Sequence, residues 1–307
     1  MKGMKKMLYK PRTKPTALKV LEFLNLRMKL TTKDKQRYFS QLKGYEGEVI
    51  FDSLTEKLQC ECFIVNDLLL EINNTTFQID SLLILQDGIY HFEVKNLEGD
   101  YYYESEKLFK KPNTEIVNPL HQLSRAESLL RQLLLKLGYT LPIHASIVFI
   151  NPTFTLYQAP LNQPIIFPTQ IKNYLSQLNA TPSKLSKWHE KLADQLTSLH
   201  ITESPYKKIP SYNYNQLRKG ITCFQCHSFS VSVEKRKCVC HNCSYKESIY
   251  HAVLRTINEF QLLFPTERIT TNIIQDWCQI VQSKQVIRNT LTANFNAVGI
   301  NQWTYYE

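Results

Sequence analysis

Apolar residues recur at near-helical spacing at Leu18, Leu21, Phe23, Leu24, Leu26 and Met28, which predicts a first helix. Thr31 or Thr32 is placed to cap a second helix running to Lys43. Val49, Ile50, Leu54 and Leu58 mark a helix over 44–58, with Glu48 near its start, where the helix dipole favours an acid. The period then becomes strand-like. Residues 63–70 read as one strand and 77–96 as two more, joined at Asp87-Gly88, a dipeptide that favours a two-residue hairpin with positive φ. Asn118 and Pro119 open a helix as cap and first helical position. Its apolar face is Leu123, Leu129, Leu130, Leu133, Leu134 and Leu137, and Gly138 ends it. Apolar runs at 143–150 and 164–167 predict further strands, and 169–178 and 183–200 predict helices. A polar, tyrosine-containing stretch at 204–220 reads as linker. Beyond it, a helix over 248–264 stops at Pro265. Thr270 or Thr271 then caps a short helix carrying Ile273, Ile274 and Trp277 inward. Ser283 caps another carrying Val286, Ile287, Leu291 and Phe295, Gly299 closes it, and 300–306 reads as a strand.

The hairpin at 77–96 brings chemistry together. A two-residue turn pairs 86 with 89 and, further out, Leu82 with Glu93 and Asp80 with Lys95. Opposed residues share a face. Ile79, Leu83, Leu85, Tyr90, Phe92 and Val94 are thereby assigned to one side, and Asp80, Glu93 and Lys95 to the other. Charged residues on the solvent face of a hairpin are ordinary. Here Leu82 and Ile84 share the charged face, so that side is expected to be covered, and a covered charge cluster needs a reason. Two close carboxylates repel unless a proton or cation lies between them. Hard oxygen ligands suit Mg²⁺ or Mn²⁺, and a neighbouring lysine can orient or deprotonate an attacking water. The chemistry suggested is metal-assisted phosphodiester hydrolysis.

Four ordered motifs carry a family resemblance: Gly44-Tyr45-Glu46-Gly47-Glu48, Gln78-Ile79-Asp80, Glu93-Val94-Lys95 followed by Gly99, and Asn118-Pro119-Leu120-His121-Gln122. Together they resemble the nuclease-related (NERD) domain, a branch of the PD-(D/E)XK nuclease superfamily, over roughly 38–178. The resemblance implies an α/β fold (an α+β mixed sheet) with a restriction-endonuclease-like αβββαβ core. It puts Glu48 on the first helix, Asp80 on the second strand, and Glu93 and Lys95 on the third. Asp80 and Glu93 are then expected to bind Mg²⁺ or Mn²⁺, with Glu48 contributing directly or through water. Lys95 is expected to activate the nucleophile, and Gln122 to hold water or phosphate. Ser81 departs from the histidine expected after the aspartate.

Charge narrows the picture. The net charge of +10 is concentrated in residues 1–43, which hold thirteen Lys/Arg against two Asp/Glu. Such an arm is suited to a phosphate backbone, and a membrane surface or plain solubility is the other reading. The first residues are basic, but no apolar run of signal-peptide length follows them, and no later stretch reaches transmembrane length. A cytoplasmic protein without a membrane partner is expected. Tyr101, Tyr102 and Tyr103 suit either base stacking or a half-buried strand.

The second constellation is Cys223-x₂-Cys226 and Cys240-x₂-Cys243, separated by thirteen residues. This spacing is that of a zinc ribbon with a hairpin between two knuckles, a structural Zn²⁺ site. Cys238 is the possible substitute for Cys240. The helix-turn-helix-strand tail resembles part of a winged helix-turn-helix, presenting Lys284, Gln285, Arg288, Asn289 and Thr292 outward for nucleic acid. Packing or dimerisation is its other reading. The expected organisation is a basic arm (1–43), a nuclease-like domain (44–178), a helix and linker (179–220), a zinc ribbon (221–247) and a helical tail (248–307). The expected function is a metal-dependent nuclease acting on nucleic acid, in the first instance DNA. The alternative is a catalytically inactive nucleic-acid-binding or regulatory protein. The sequence leaves oligomeric state open.

Overall fold

The computed structural model describes residues 7–202 and 208–307. Residues 1–6 of the expected basic arm and 203–207 of the expected linker lie outside the described residues. The chain forms two compact units, one from Met1–Lys14 with Phe39–Tyr206 and the other from Pro15–Tyr38 with Lys207–Glu307. The stretch 1–43 is thus divided between them. Among the described residues, no helix is long and apolar enough to cross a membrane.

In chain order, β1 (Met7–Lys10) precedes α1 (Thr16–Arg27), and α2 (Thr32–Thr55) leads into the first unit. There follow β2 (Phe63–Ile72), β3 (Thr75–Ile84), β4 (Ile89–Lys95), β5 (Gly99–Glu104), β6 (Lys107–Lys110), β7 (Thr114–Ile116), α3 (Pro119–Lys136), β8 (Ile143–Phe149), β9 (Phe154–Tyr157), β10 (Ile165–Ile166), α4 (Ile171–Ala180) and α5 (Lys187–Ser198). A six-stranded mixed sheet in the order β1-β2-β3-β4-β8-β10 forms the centre. The run α2-β2-β3-β4-α3-β8 is the expected αβββαβ core. One face of the sheet buries Leu82, Ile84 and Ile89 under Ala126, Leu130, Leu133 and Leu134 of α3. The other buries Leu83, Tyr90, Phe92 and Val94 against Phe51 of α2 and Ile171, Leu175 and Leu178 of α4. A second, four-stranded sheet, β7-β6-β5-β9, takes up Tyr101, Tyr102 and Tyr103 as strand residues, with Tyr101 buried.

Three local expectations change. The two helices foreseen before and after position 43 are one helix, α2, so Glu48 lies deep within it and owes nothing to a dipole at its start. Thr31 caps that helix by accepting the Asp34 N–H at 3.1 Å. The buried side of its second half is Gly47, Phe51, Asp52 and Thr55, with Leu58 buried just beyond its end, while Val49 and Ile50 are exposed. The β3–β4 ladder pairs Ile84 with Ile89 and Leu82 with His91, two residues out of the predicted register. The connection is accordingly longer than two residues, with the Leu85 N–H donating to the Gly88 carbonyl at 3.0 Å. Gly88 is needed there for proximity, because a Cβ would stand 2.9 Å from the Pro142 carbonyl oxygen. A shift of two keeps every side chain on its face, so Glu93 and Lys95 still share a side. Finally, Ile79 belongs with Leu82 rather than with Leu83. Asp67 on β2 has φ +54°, and the ladder carries no pair between Asn66–Ser81 and Leu68–Ile79, so alternation inverts at this point.

The second unit contains α1, a short helical turn at Tyr214–Gln216, β11 (Val231–Glu234), β12 (Lys237–Cys240), β13 (Lys246–Ser248), α6 (Ile249–Leu263), α7 (Thr271–Cys278), α8 (Lys284–Asn294), β14 (Ala297–Val298) and β15 (Tyr305–Tyr306). Thr270 and Ser283 cap α7 and α8 as expected. The predicted strand over 300–306 is instead the second half of a two-stranded β14–β15 hairpin enclosing a 3₁₀ turn at Asn301–Trp303, with Ile269 bridging to Tyr306. The expected linker is partly structural: Tyr212 donates to the Leu263 carbonyl at 2.6 Å, Tyr214 to Asp276 at 2.6 Å, and Leu217 is buried.

Arg27 at the end of α1 is fully buried. It pairs with Glu259 of α6, donates to the carbonyls of Arg218 (2.6 Å) and Gly220 (3.1 Å), and lies 4.3 Å from the centre of the Trp277 ring. Breaking a buried pair from one side leaves an uncompensated charge. Glu259→Ala is expected to lower the stability of this unit by about 3–5 kcal/mol. The double change Arg27→Met, Glu259→Leu should recover much of the loss, both read from chemical denaturation of the full chain.

Candidate functional site

The interruption of the β2–β3 ladder sits at Asp80. Continuing the register of β2 against β3 would set Asp80 opposite Asp67, where the left-handed backbone breaks the pairing. The chain entering from β1 fills the gap. Lys10 donates to the carbonyls of Asn66 (2.9 Å) and Asp67 (2.6 Å), and Arg12 donates through Nη2 to the Asp80 carbonyl at 2.6 Å. The same guanidinium donates through Nη1 to Glu48 Oε2 (2.5 Å) and through Nε to Asp52 Oδ2 (2.8 Å). Glu48 and Asp52 lie one helical turn apart on α2, so one planar cation reaches both. The Arg12 side chain is only 3% exposed.

Above this layer opens a cavity of about 620 Å³. Its walls come from four elements: Ser40, Lys43 and Glu48 of α2, Gln78 and Asp80 of β3, Glu93 and Lys95 of β4, and Gln122 and Arg125 of α3. Gln122 and Arg125 are three residues apart on one helical face, held over the sheet because Leu123 and Ala126 are buried beside them. Lys95 Nζ donates to Glu93 Oε1 at 2.6 Å, and the Val94 N–H donates to Asp80 Oδ2 at 2.8 Å. Burial, reinforced by the charges of Glu93 and Glu48, pushes Asp80 well above the usual carboxylate range. Burial likewise lifts Glu48 to about 7, against the opposing pull of Arg12. Both shifts arise first from burial, with neighbouring carboxylates adding to it. Ser81, at the position where a histidine was expected, does not line the cavity; its hydroxyl donates to Asn66 Oδ1 at 2.9 Å.

All five residues picked out for this site, Glu48, Asp80, Glu93, Lys95 and Gln122, line the one cavity. Their carboxylates do not converge as a three-ligand cage: among the described residues the one group of that kind is Cys223, Cys226, Cys240 and Cys243. Mg²⁺ needs no such cage, since it is commonly held by one or two carboxylates and keeps several waters. Asp80 and Glu93 fit that requirement, each with one oxygen beyond its bond to Val94 or Lys95. Arg12, Asp52, Asp67 and Arg125 were not foreseen. Only Arg125, one turn after Gln122, carried a signal that helical spacing could have revealed.

The cysteine cluster is built from two matching knuckles. The His227 N–H donates to the Cys223 carbonyl at 3.0 Å, and the Ser244 N–H to the Cys240 carbonyl at 3.0 Å. His227 and Ser244 both take positive φ, +57° and +60°. The Sγ atoms of Cys223 and Cys243 are 3.5 Å apart, and those of Cys226 and Cys240 3.6 Å. Four thiolates at about 2.3 Å from one tetrahedral Zn²⁺ stand about 3.8 Å apart, so the group can hold zinc. Cys238 is buried in the core beside Ile249 and Val253 and is not part of the group.

Two glycines of α2 separate position from propensity. A Cβ on Gly47 would come within 2.5 Å of the Asn96 Cβ, whereas one on Gly44 would meet nothing within 4 Å. Gly44→Ala should therefore stabilise the chain by about 0.5–1 kcal/mol. Gly47→Ala should destabilise it by about 1–3 kcal/mol as α2 is pushed off the end of β4. Thermal denaturation of the two variants checks the opposite signs.

Compared with known families, residues 43–150 match the nuclease-related domain, NERD. No curated protein and no solved structure matches the chain. The matched stretch begins within α2, ends just past β8 and supplies Glu48, Asp80, Glu93, Lys95 and Gln122 to the cavity. The family likeness thus lies in residues 43–150 and is with the nuclease-related domain.

Proposed function

We propose that the chain is a divalent-metal-dependent nuclease that hydrolyses phosphodiester bonds of nucleic acid, with DNA as the first substrate to test. The observation that carries this reading is the meeting of Asp80, Glu93, Lys95 and Gln122 in one cavity with Arg125 and Lys43 on its wall. Asp80 and Glu93 are the residues that would hold Mg²⁺ or Mn²⁺, and Glu48, already paired to Arg12, would act through water. Mg²⁺ bound there would stabilise charge building on the phosphate and favour ionisation of water. Lys95 orients the attacking water and balances Glu93 until phosphate arrives. The Gln122 amide and the Arg125 guanidinium meet phosphate oxygens, the latter with the fork geometry suited to them. Deep carboxylates with cations around them attract a polyanion to the wall while reserving the floor for a metal.

The non-catalytic reading has one observation on its side. Arg12 already neutralises Glu48 without a metal. In the second unit, Lys284, Gln285, Arg288, Asn289 and Thr292 are exposed along α8, the helix before the β14–β15 hairpin, and would meet phosphates or base edges of DNA. The cysteine cluster would hold a structural Zn²⁺, because four protein thiolates leave no open position for water.

Two experiments follow. Labelled plasmid and single-stranded DNA incubated with Mg²⁺, Mn²⁺ or EDTA should be cut only with metal, and cutting should vanish in folded Asp80→Ala and Lys95→Ala. Binding without cutting under every condition would hand the site to the non-catalytic reading, and cutting that survives both changes would move the centre elsewhere. Elemental analysis should find about one zinc per chain. Cys226→Ser should lose it together with part of the thermal stability, while Cys238→Ser should retain it.

A further inference from the structure

Glu48, Asp80 and Glu93 line the cavity, and Asp52 and Asp67 add to the acid around it. Glu48, Asp52, Asp67, Asp80 and Glu93 are five carboxylates that act on one another's charge across this region. Three cations answer them: Lys95 on Glu93, Lys10 at the Asn66 and Asp67 carbonyls, and Arg12 on Glu48 and Asp52. With all five ionised, as a bound divalent ion would favour, two negative charges remain, which one Mg²⁺ would cancel.

Arg12 is not a casual surface partner. Its three nitrogens are all engaged, Nη1 with Glu48, Nε with Asp52, and Nη2 with both Asp52 (3.1 Å) and the Asp80 main chain. It is anchored by β1, whose side chain Lys10 closes the same gap in the ladder. A guanidinium does not give up its proton at any ordinary pH, so this positive charge is permanent. In two-ion nuclease centres the ions stand about 3.5–4 Å apart, and the second needs carboxylate oxygens of its own. Here two of the further carboxylates, Glu48 and Asp52, already face the guanidinium.

We propose that Arg12 is a built-in counter-cation that takes the place of a second divalent ion and restricts this centre to one. The proposal rests on the metal-dependent reading above, and it assigns part of the centre to a residue outside the 43–150 match. Glu48 then serves as the partner of Arg12 and not as a direct ligand, and the arm that delivers Arg12 is a component of the site.

The test is a count of bound Mn²⁺ by electron paramagnetic resonance on the full, zinc-loaded chain, with Asp80→Asn as the blank. Wild type is expected to bind one ion above the blank. Arg12→Met should bind two, because Glu48 and Asp52 are released, and Arg12→Lys, which keeps the charge, should bind one. Glu48→Gln leaves Arg12 on Asp52, so it should fold and keep its ion. Two ions in wild type, a single ion in folded Arg12→Met, or loss of the ion in Glu48→Gln would each overturn the proposal. If Arg12→Met does not fold, the wild-type and Glu48→Gln counts decide. No ion above the blank in wild type or in any variant sinks the underlying metal reading itself, an outcome distinct from a wrong count.

Discussion

Gathering carboxylates under a folded sheet is the costly step in this protein, and the guanidinium of Arg12 offsets much of it. Asp80 is 7% exposed and Glu93 8%, and burial together with the charge of Glu93 raises the cost of ionising Asp80. Arg12 places a permanent positive charge between Glu48 and Asp52 and bonds the Asp80 carbonyl where the ladder is broken. One side chain thereby meets an electrostatic need and a backbone need together. The left-handed turn at Asp67 is tolerable because Lys10 and Arg12 satisfy the polar groups it leaves behind.

The second unit solves the same problem with Arg27. Its charge is balanced by Glu259, its donors by two carbonyls, and its flat face by Trp277. Arg12 and Arg27 both come from the stretch whose excess charge suggested contact with a phosphate backbone. Lys43 and Arg37 are paired as well, to Glu98 and Asp34. Part of the charge that looked like an external binding surface is therefore spent within the fold, by Arg12, Arg27 and Lys43 on acids far away in sequence and by Arg37 on its neighbour Asp34. The cations left facing the candidate nucleic-acid site are local to it, Lys95 and Arg125 above all.

The cysteine cluster and the carboxylate cavity differ in how they are made. The cysteine knuckles are sequence-local: each closes with a short hydrogen bond across one turn, and a short hairpin brings them together. The carboxylate site draws on α2, β3, β4 and α3 and on the chain after β1. Its geometry depends on close approaches such as that of Gly47 to Asn96. A nuclease-related function for residues 43–150 fits the second kind of construction, in which the sheet holds the carboxylates and helices supply the rim.

By itself, the sequence determined what short-range physics controls. Caps at Asn118, Thr270 and Ser283, the alternation that sets Glu93 beside Lys95 and the Cys-x₂-Cys spacing were all legible, because each depends on residues a few positions apart, whereas the αβββαβ order came with the family resemblance. The tertiary structure decided whatever required an opposed partner. It decided that α2 continues through two glycines, since packing outweighs their propensity cost. It set the β3–β4 register two residues from the one the turn suggested, because Gly88 is held against Pro142. It inverted the facing of Ile79 through the backbone of Asp67. Above all it decided the fate of Arg12, whose acceptors lie 36, 40 and 68 residues away. No local pattern encodes such a pairing, because a charge takes its partner from whatever the completed sheet brings within reach.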